Sequence, residues 1–282
     1  TQFMTSMGMM EFSIGKQVRR TSAYSGLGVY FINDVGGDSK FSIRTGGVTA
    51  SGVLPLSKAH SISAGILVGY SSRSADFSRL TFFNQWDGTQ FDPNIDPNEV
   101  NGVNSFSHLD AGAGVAYSYN KDNENTLSAS ELSFQGGFSM QHLNRPTLRY
   151  NSLVDDKLPI KICVHANMRY GLSPESNIEF SAAQFIQAKY LETIGGLFYR
   201  LKMKSASRVT SFVSDQYFVI GSYFRSTGSI IPCFFIDIGG LTLGVSYDYE
   251  LGKIASMYRQ SIEVSLKFNF GKKSIFSSSK MR

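Results

Sequence analysis

The sequence predicts an all-β fold, a transmembrane antiparallel β-barrel of about 14 strands. Three observations predict it. Side chains alternate between apolar and polar along most of the chain, and helical periodicity is nearly absent. The alternating segments run to about ten residues, the 9–11 that a tilted strand needs to cross a bilayer, whereas strands of soluble proteins average about 5–6. Charged residues make up 17 % of the 282, against 13 % aromatics and 27 glycines; an ordinary soluble domain carries roughly 25 % charge. A large sandwich or a lipocalin-like barrel with one solvated face is the soluble alternative.

In chain order the alternation gives thirteen strands, near 3–12, 24–33, 40–54, 60–72, 107–119, 130–140, 158–170, 176–187, 190–201, 216–225, 231–238, 240–250 and 260–270. In the fifth, Ala111, Ala113, Val115, Tyr117 and Tyr119 share a face opposite Gly112, Gly114, Ala116 and Ser118. In the seventh, Ile160, Ile162, Val164, Ala166, Met168 and Tyr170 oppose Lys161, Cys163, His165, Asn167 and Arg169. The last two repeat the pattern, with Leu241, Leu243, Val245, Tyr247 and Tyr249 on one face, then Ile262, Val264, Leu266, Phe268 and Phe270. Aromatics gather at strand ends (Tyr70, Tyr117, Tyr119, Tyr170, Tyr247, Tyr249, Phe268, Phe270), where a ring with a polar edge suits the headgroup level. Bacterial single-chain barrels have even strand numbers, so an odd count in a chain starting at Thr1, without Met or leader, predicts one further strand upstream.

Long loops lie outside such barrels and short turns in the periplasm. The longest gap, Arg73–Ser105, is therefore extracellular, and alternation places Asn33–Asp38 and Gln141–Lys157 with it. Gly15–Thr21, Pro55–Ala59, Asn120–Asn125 and Leu172–Ser176 fall in the periplasm. The long Lys202–Asp215 and the tight Ala188–Tyr190 break this length rule. Residues 1–270 form the barrel, and 271–282 form a Ser/Lys-rich periplasmic tail.

Charge and motifs exclude several functions. The net charge of +5 sits largely in turns and the tail (Arg19, Arg20, Lys272, Lys273, Lys280, Arg282), so it forms no nucleic-acid-binding stripe. The most apolar run, Ile230–Leu241, is too short for a spanning helix and is broken by Asp237. The histidines His60, His108, His142 and His165 form no zinc spacing, and no GxSxG marks a nucleophile, so no enzymatic activity is expected. Cys163 and Cys233 make no CxxC; two apolar or lumen-facing thiols and one long-range disulfide both stay open. Inward charges of both signs (Glu131, Lys161, Arg169, Glu179, Lys189, Asp248, Glu263, Lys267) predict a salt-bridged, partly filled lumen rather than a charge-selective pore.

The most distinctive loop is Trp86–Glu99, which carries Asp87, Asp92 and Asp96. Its carboxylates and amides are ligand types that Ca²⁺ takes, but the spacing is not that of an EF-hand, and a solvated loop with Asx turns is the stronger reading. Asp34 and Asp38 read likewise in a Gly-containing turn. Trp86, at a barrel mouth, is suited to anchor a protein partner.

The stretch Gly26-Leu27-Gly28 through Asn33-Asp34, then Gly37-Asp38, resembles the GLG…ND…GD hairpin of the PorP/SprF family, membrane proteins linked to type IX secretion in Bacteroidetes, and further segments agree in order and spacing. Leu54-Pro55-Leu56-Ser57-Lys58 with Ser63-Ala64-Gly65, His142-Leu143-Asn144-Arg145-Pro146, and Lys157-Leu158-Pro159 match further segments. So do Gly244-Val245-Ser246-Tyr247-Asp248-Tyr249 and Ser261-Ile262-Glu263-Val264-Ser265-Leu266. The family's N-terminal NPA…G and YR.QW are absent, and Tyr258-Arg259-Gln260-Ser261-Ile262-Glu263 stands where a GSHE is usual, so no role for that His carries over.

The resemblance, over about residues 11–270, implies a non-enzymatic outer-membrane barrel. It implies that the barrel anchors or helps export a surface protein, an adhesin, through the cargo's C-terminal domain. It also implies a link to a periplasmic peptidoglycan-binding lipoprotein of the secretion and gliding machinery. On this reading Asp34, Asp38, Trp86, Asp87, Asp92, Asp96, His142, Asn144 and Arg145 belong to the cargo-facing loops, and Arg19 and Arg20 to the periplasmic contacts. No cofactor is implied. A porin-like channel for small solutes is the alternative.

Overall fold

The computed structural model describes residues 8–17, 23–36, 39–57, 59–76, 80–96, 105–121, 132–151, 154–204, 216–238, 240–251 and 260–268. They form strands β1 (Gly8–Gln17), β2 (Tyr24–Gly36), β3 (Phe41–Pro55), β4 (His60–Ser74), β5 (Ser105–Lys121), β6 (Leu132–Gln141), β7 (Thr147–Asn151) and β8 (Val154–Lys157). There follow β9 (Lys161–Ser173), β10 (Ser176–Gln187), β11 (Tyr190–Lys204), β12 (Gln216–Arg225), β13 (Ser229–Ile238), β14 (Leu241–Glu250) and β15 (Gln260–Phe268). Thirteen of these lie in one sheet in chain order, β1 to β6 and then β9 to β15, while β7 and β8 pair with each other. By packing, the chain divides into two compact units, Thr1–Leu56 with Ser61–Ala116 and Phe138–Ile162, and Ser57–His60 with Tyr117–Gly137 and Cys163–Arg282.

In the first unit, β2, β3 and β4 pair antiparallel, and Val29, Val48 and Val68 stand directly opposite one another. Branched side chains suit this pleated surface, and all three are exposed. The neighbouring residues point to the other face. There Tyr30 lies across Gly47 and Gly69: a Cβ on Gly47 would come 2.5 Å from the ring, and one on Gly69 2.6 Å from the hydroxyl. Beside them the hydroxyls of Thr45 and Ser71 bond at 3.0 Å. β3 and β4 have 15 residues each and β5 has 17. A 15-residue strand is roughly 50 Å long, more than a tilted crossing needs, and β4 accordingly ends in the polar run Ser71-Ser72-Arg73-Ser74.

The second unit repeats the arrangement. Ile178, Tyr199, Ile220, Phe234, Val245 and Val264 form one continuous cross-strand row from β10 to β15. The next row, on the opposite face, is Glu179, Phe198, Gly221, Cys233, Ser246 and Glu263. Phe198, Val219, Ile231 and Cys233 make a small core, with Tyr223 set edge-on to Phe198 at 4.8 Å. A Cβ on Gly196 would run into the Tyr223 ring and then that of Phe198, and one on Gly221 into the Leu197 carbonyl and the Phe198 ring, so both positions must be glycine for the aromatic pair to pack.

The distribution of side chains is inverted relative to a water-soluble domain. Leu27, Ile66, Leu109, Leu197, Ile262 and Val264 are all at least 60 % exposed, while Ser42, Ser71, Gln85, His108, Asp110, Ser176 and Ser229 are buried. Such a belt would be unstable in water and is what a bilayer requires of a spanning sheet. The soluble-sandwich alternative needs these faces covered by a second sheet, and among the described residues they are exposed.

Several boundaries differ from the sequence expectation. The first strand continues to Gln17 rather than ending at 12, because Gly15, Lys16 and Gln17 pair with Gly26, Ser25 and Tyr24; the expected turn at Gly15–Thr21 loses its first three residues to the strand, and residues 3–7 lie outside the described residues. Gln141–Lys157, expected as a loop, contains the β7–β8 hairpin, whose Leu148 is buried together with Leu158 just beyond it. The strand expected at 158–170 runs instead from Lys161 to Ser173. Cys163 and Cys233 are both free thiols.

Candidate functional site

The polar face of the second unit is braced by alternating charges from four strands. Arg169 on β9 donates from Nε to Oε1 of Glu179 on β10 at 2.7 Å. The same carboxylate oxygen lies 3.6 Å from Nη1 of Arg200 on β11. Arg200 in turn donates from Nη2 to Oδ2 of Asp237 on β13 at 3.1 Å, and its guanidinium lies 4.0 Å over the Tyr217 ring. The row is neutral overall, so no ion is left uncompensated in a medium where that is costly. Arg225 makes a second bridge, between Glu192 at 3.2 Å and Asp248 at 3.1 Å, and the Ser229 hydroxyl donates to Glu250.

Arg169, Glu179 and Asp248 were expected as inward charges that pair, and they do. Arg200, Asp237 and Arg225 were missed as their partners. Arg200 and Asp237 are 37 positions apart, and only the strand register brings them together. Glu131, also expected inward, lies outside the described residues. Against this lattice sits a cavity of about 420 Å³, lined by Ser133, Gln135, Asn167, Arg169, Glu179 and Tyr223 among others.

In the first unit a polar cluster ties a loop to the sheet. His142 Nδ1 lies 2.9 Å from Oδ2 of the buried Asp110 on β5. Asn144 donates from Nδ2 to the Leu109 carbonyl at 2.8 Å and accepts from the Ala111 amide at 3.2 Å, which pins the turn to β5. His142 and Arg145 hold the turn with positive φ of 60° and 42°. The side-chain amide of Asn144 is thus spent on the fold.

The loop over 82–95 is organised by Gln85, a buried residue that the sequence reading passed over. Its Oε1 accepts the Phe82 amide at 3.0 Å, and its Nε2 donates to the Ile95 carbonyl at 3.1 Å. Asp87 accepts the Thr89 and Gln90 amides, each at 2.7 Å. The Gln90 and then the Thr89 amide hold its carboxyl below the ordinary range, against a small opposing effect of burial. Asp92 accepts the Asn94 amide at 2.8 Å and its Nδ2 at 2.9 Å. Both carboxylates are therefore Asx-turn formers. The frame they build displays Trp86, which bridges to Phe91, and Phe83, which is 94 % exposed. Asp96 is exposed at the end of this loop, whereas Asp34, expected in the turn 33–38, is exposed on β2 opposite Ile43, because the pairing with β3 continues to Gly36 and Phe41. Arg19, Arg20, Asp38, Glu99 and the tail 271–282 lie outside the described residues.

At the other end of β4, His60 Nδ1 and the Tyr117 hydroxyl are 2.6 Å apart, and the Tyr119 ring is 4.9 Å from the His60 ring. This is one of the expected aromatic clusters at a strand end. Phe270 lies outside the described residues.

Comparison with known proteins agrees with this geometry. The toluene transporter TbuX of Ralstonia pickettii is similar in structure, with a TM-score of 0.50 over 92 % of this chain and 80 % of that one, at 9 % sequence identity. At that identity the likeness concerns the fold alone, an antiparallel β-barrel of the outer-membrane class. No curated relative matches the sequence. The family model for the type IX secretion system membrane protein PorP/SprF matches residues 2–268. With nearly the whole chain covered and an apolar face turned outward along the sheet, the protein belongs to the PorP/SprF family of type IX secretion system membrane proteins and resides in the outer membrane.

Proposed function

We propose that this protein is a non-enzymatic tether: it anchors, or helps export, a surface protein handled by the type IX system, gripping the cargo's C-terminal domain with its loops. The observation that carries the reading is the 82–95 loop. Phe83, Trp86 and Phe91 are exposed, yet the backbone beneath them is fixed by Gln85, Asp87 and Asp92. Aromatic anchors on a preorganised frame are what a protein interface uses, since little ordering entropy remains to be lost on binding. The turn His142–Arg145, locked to β5 by Asn144, supplies a second fixed edge, with Asp34 and Asp96 as polar rim. A periplasmic lipoprotein on the opposite side completes the tether. The charge lattice on the polar face supports this reading over a charge-selective channel, because its charges of both signs are paired with each other.

The test is co-purification of the tagged protein from detergent-solubilised membranes of its own cells. An exported adhesin, or its C-terminal domain, should accompany the wild type and be lost from a Phe83→Ala/Trp86→Ala double variant. Recovery of the folded protein without any exported protein would sink the tether, and a steady conductance in planar bilayers would put the channel in its place.

A further inference from the structure

The cavity on the polar face of the second unit has unspent hydrogen-bonding atoms of both signs. Arg169 is half exposed there, and among the described residues it uses only Nε, on Glu179. Its two terminal nitrogens are available to a carboxylate in the fork geometry that guanidinium provides. Both arginine contacts of Glu179 go to Oε1, and among the described residues Oε2 is left to accept from a cation. Asn167 accepts the Ser181 hydroxyl through Oδ1 at 2.7 Å, which leaves its Nδ2 to donate. Phe198 and Tyr223, edge-to-face at 4.8 Å, give the same cavity an aromatic wall. Its volume, about 420 Å³, falls within the range of small-molecule sites.

We propose that this cavity binds a small zwitterion, an α-amino acid with an apolar side chain. The carboxylate pairs with the terminal nitrogens of Arg169 and with Asn167, the ammonium with Oε2 of Glu179, and the side chain with Phe198 and Tyr223. A lone anion would gain Arg169 but meet Glu179, and a lone cation the reverse, so the site selects for both charges on one molecule. The proposal does not depend on the tether.

The experiment is calorimetric titration of the full-length protein in detergent with L-phenylalanine, phenylpropionate and phenethylamine. L-Phenylalanine is expected to bind about tenfold or more tightly than either one-charge analogue, as one charge-assisted hydrogen bond is worth roughly that factor. Arg169→Gln should weaken L-phenylalanine by a similar factor while Glu179 keeps Arg200 and Arg200 keeps Asp237, so the lattice persists; Arg169→Lys should recover part of the loss. Heat-modifiable gel mobility confirms that each variant is folded. Failure of all three probes to bind the folded wild type overturns the proposal, as does equal binding of L-phenylalanine by wild type and Arg169→Gln. Equal binding of the three probes by the wild type overturns the zwitterion assignment.

Discussion

Arg200 and Asp237 meet at 3.1 Å across two intervening strand pairings, at the point where the Arg200 guanidinium also covers the Tyr217 ring. Removing one partner leaves the other charge facing a poorly solvated neighbourhood. Arg200→Met is therefore expected to destabilise the fold by about 1–3 kcal/mol, less than a fully buried pair because both side chains keep some solvent contact. The urea midpoint of the gel-mobility transition reads this out. Asp237→Asn should cost less, and the double variant less than the sum of the singles.

Gly221→Ala pushes a methyl group onto the Leu197 carbonyl oxygen and into the Phe198 ring, and the expected cost is about 1–3 kcal/mol or more in the same assay. Adding Phe198→Leu should recover only the share owed to the ring, since the Leu197 carbonyl stays in place. Gly52→Ala, where a Cβ meets nothing, should be nearly silent.

Val245 lies in the outward row, between Phe234 and Val264. Val245→Lys is expected to cost about 2–4 kcal/mol if that row lies at the bilayer midplane, and to lower the amount of folded protein in the outer membrane. Ser246→Lys, one residue along and on the other face, should be better tolerated in the membrane fraction.

Asp87 is held ionised by the amides of Gln90 and Thr89, so its carboxyl titrates below the ordinary value of 3.8. A group whose pKa is depressed on folding contributes stability above its unfolded pKa and loses it as pH falls through the folded one. The turn at 87–90 should thus persist through the pH at which ordinary aspartates protonate, and loosen only below it. A carboxyl carbon titration by NMR checks the order. Asp87→Ala should expose the Thr89 and Gln90 amides to hydrogen exchange at neutral pH.

Asn144→Ala frees the 142–145 turn from Leu109 and Ala111. Limited proteolysis on intact cells should cut the variant faster than wild type at this turn, with the membrane-embedded remainder unchanged.

Much of this architecture was legible because strand periodicity is carried by the side chains themselves. The outward faces of 107–119 and 240–250 could be read residue by residue, since Leu, Val and Tyr alternate there with Gly, Ser and Asp. β7 and β8 escaped because Thr147–Asn151 and Val154–Lys157 are short and mostly polar, with too few alternations to define a period. Gln85 escaped for another reason. Its role depends on the carbonyl of Ile95 and the amide of Phe82 converging on one side chain, which no local pattern announces. The lattice was half readable: which residues face inward follows from parity, but pairing Arg200 with Asp237 requires the register of three strands.

Every strand of the large sheet sits next to its neighbour in the chain, apart from the excursion through β7 and β8. The molecule is in effect a string of hairpins, and its natural unit of growth or loss is a pair of strands. Excising two consecutive strands would return the chain to the same side of the membrane with its alternation in phase, whereas excising one would strand every downstream loop in the wrong compartment. Variation in strand number among related barrels should therefore come in twos.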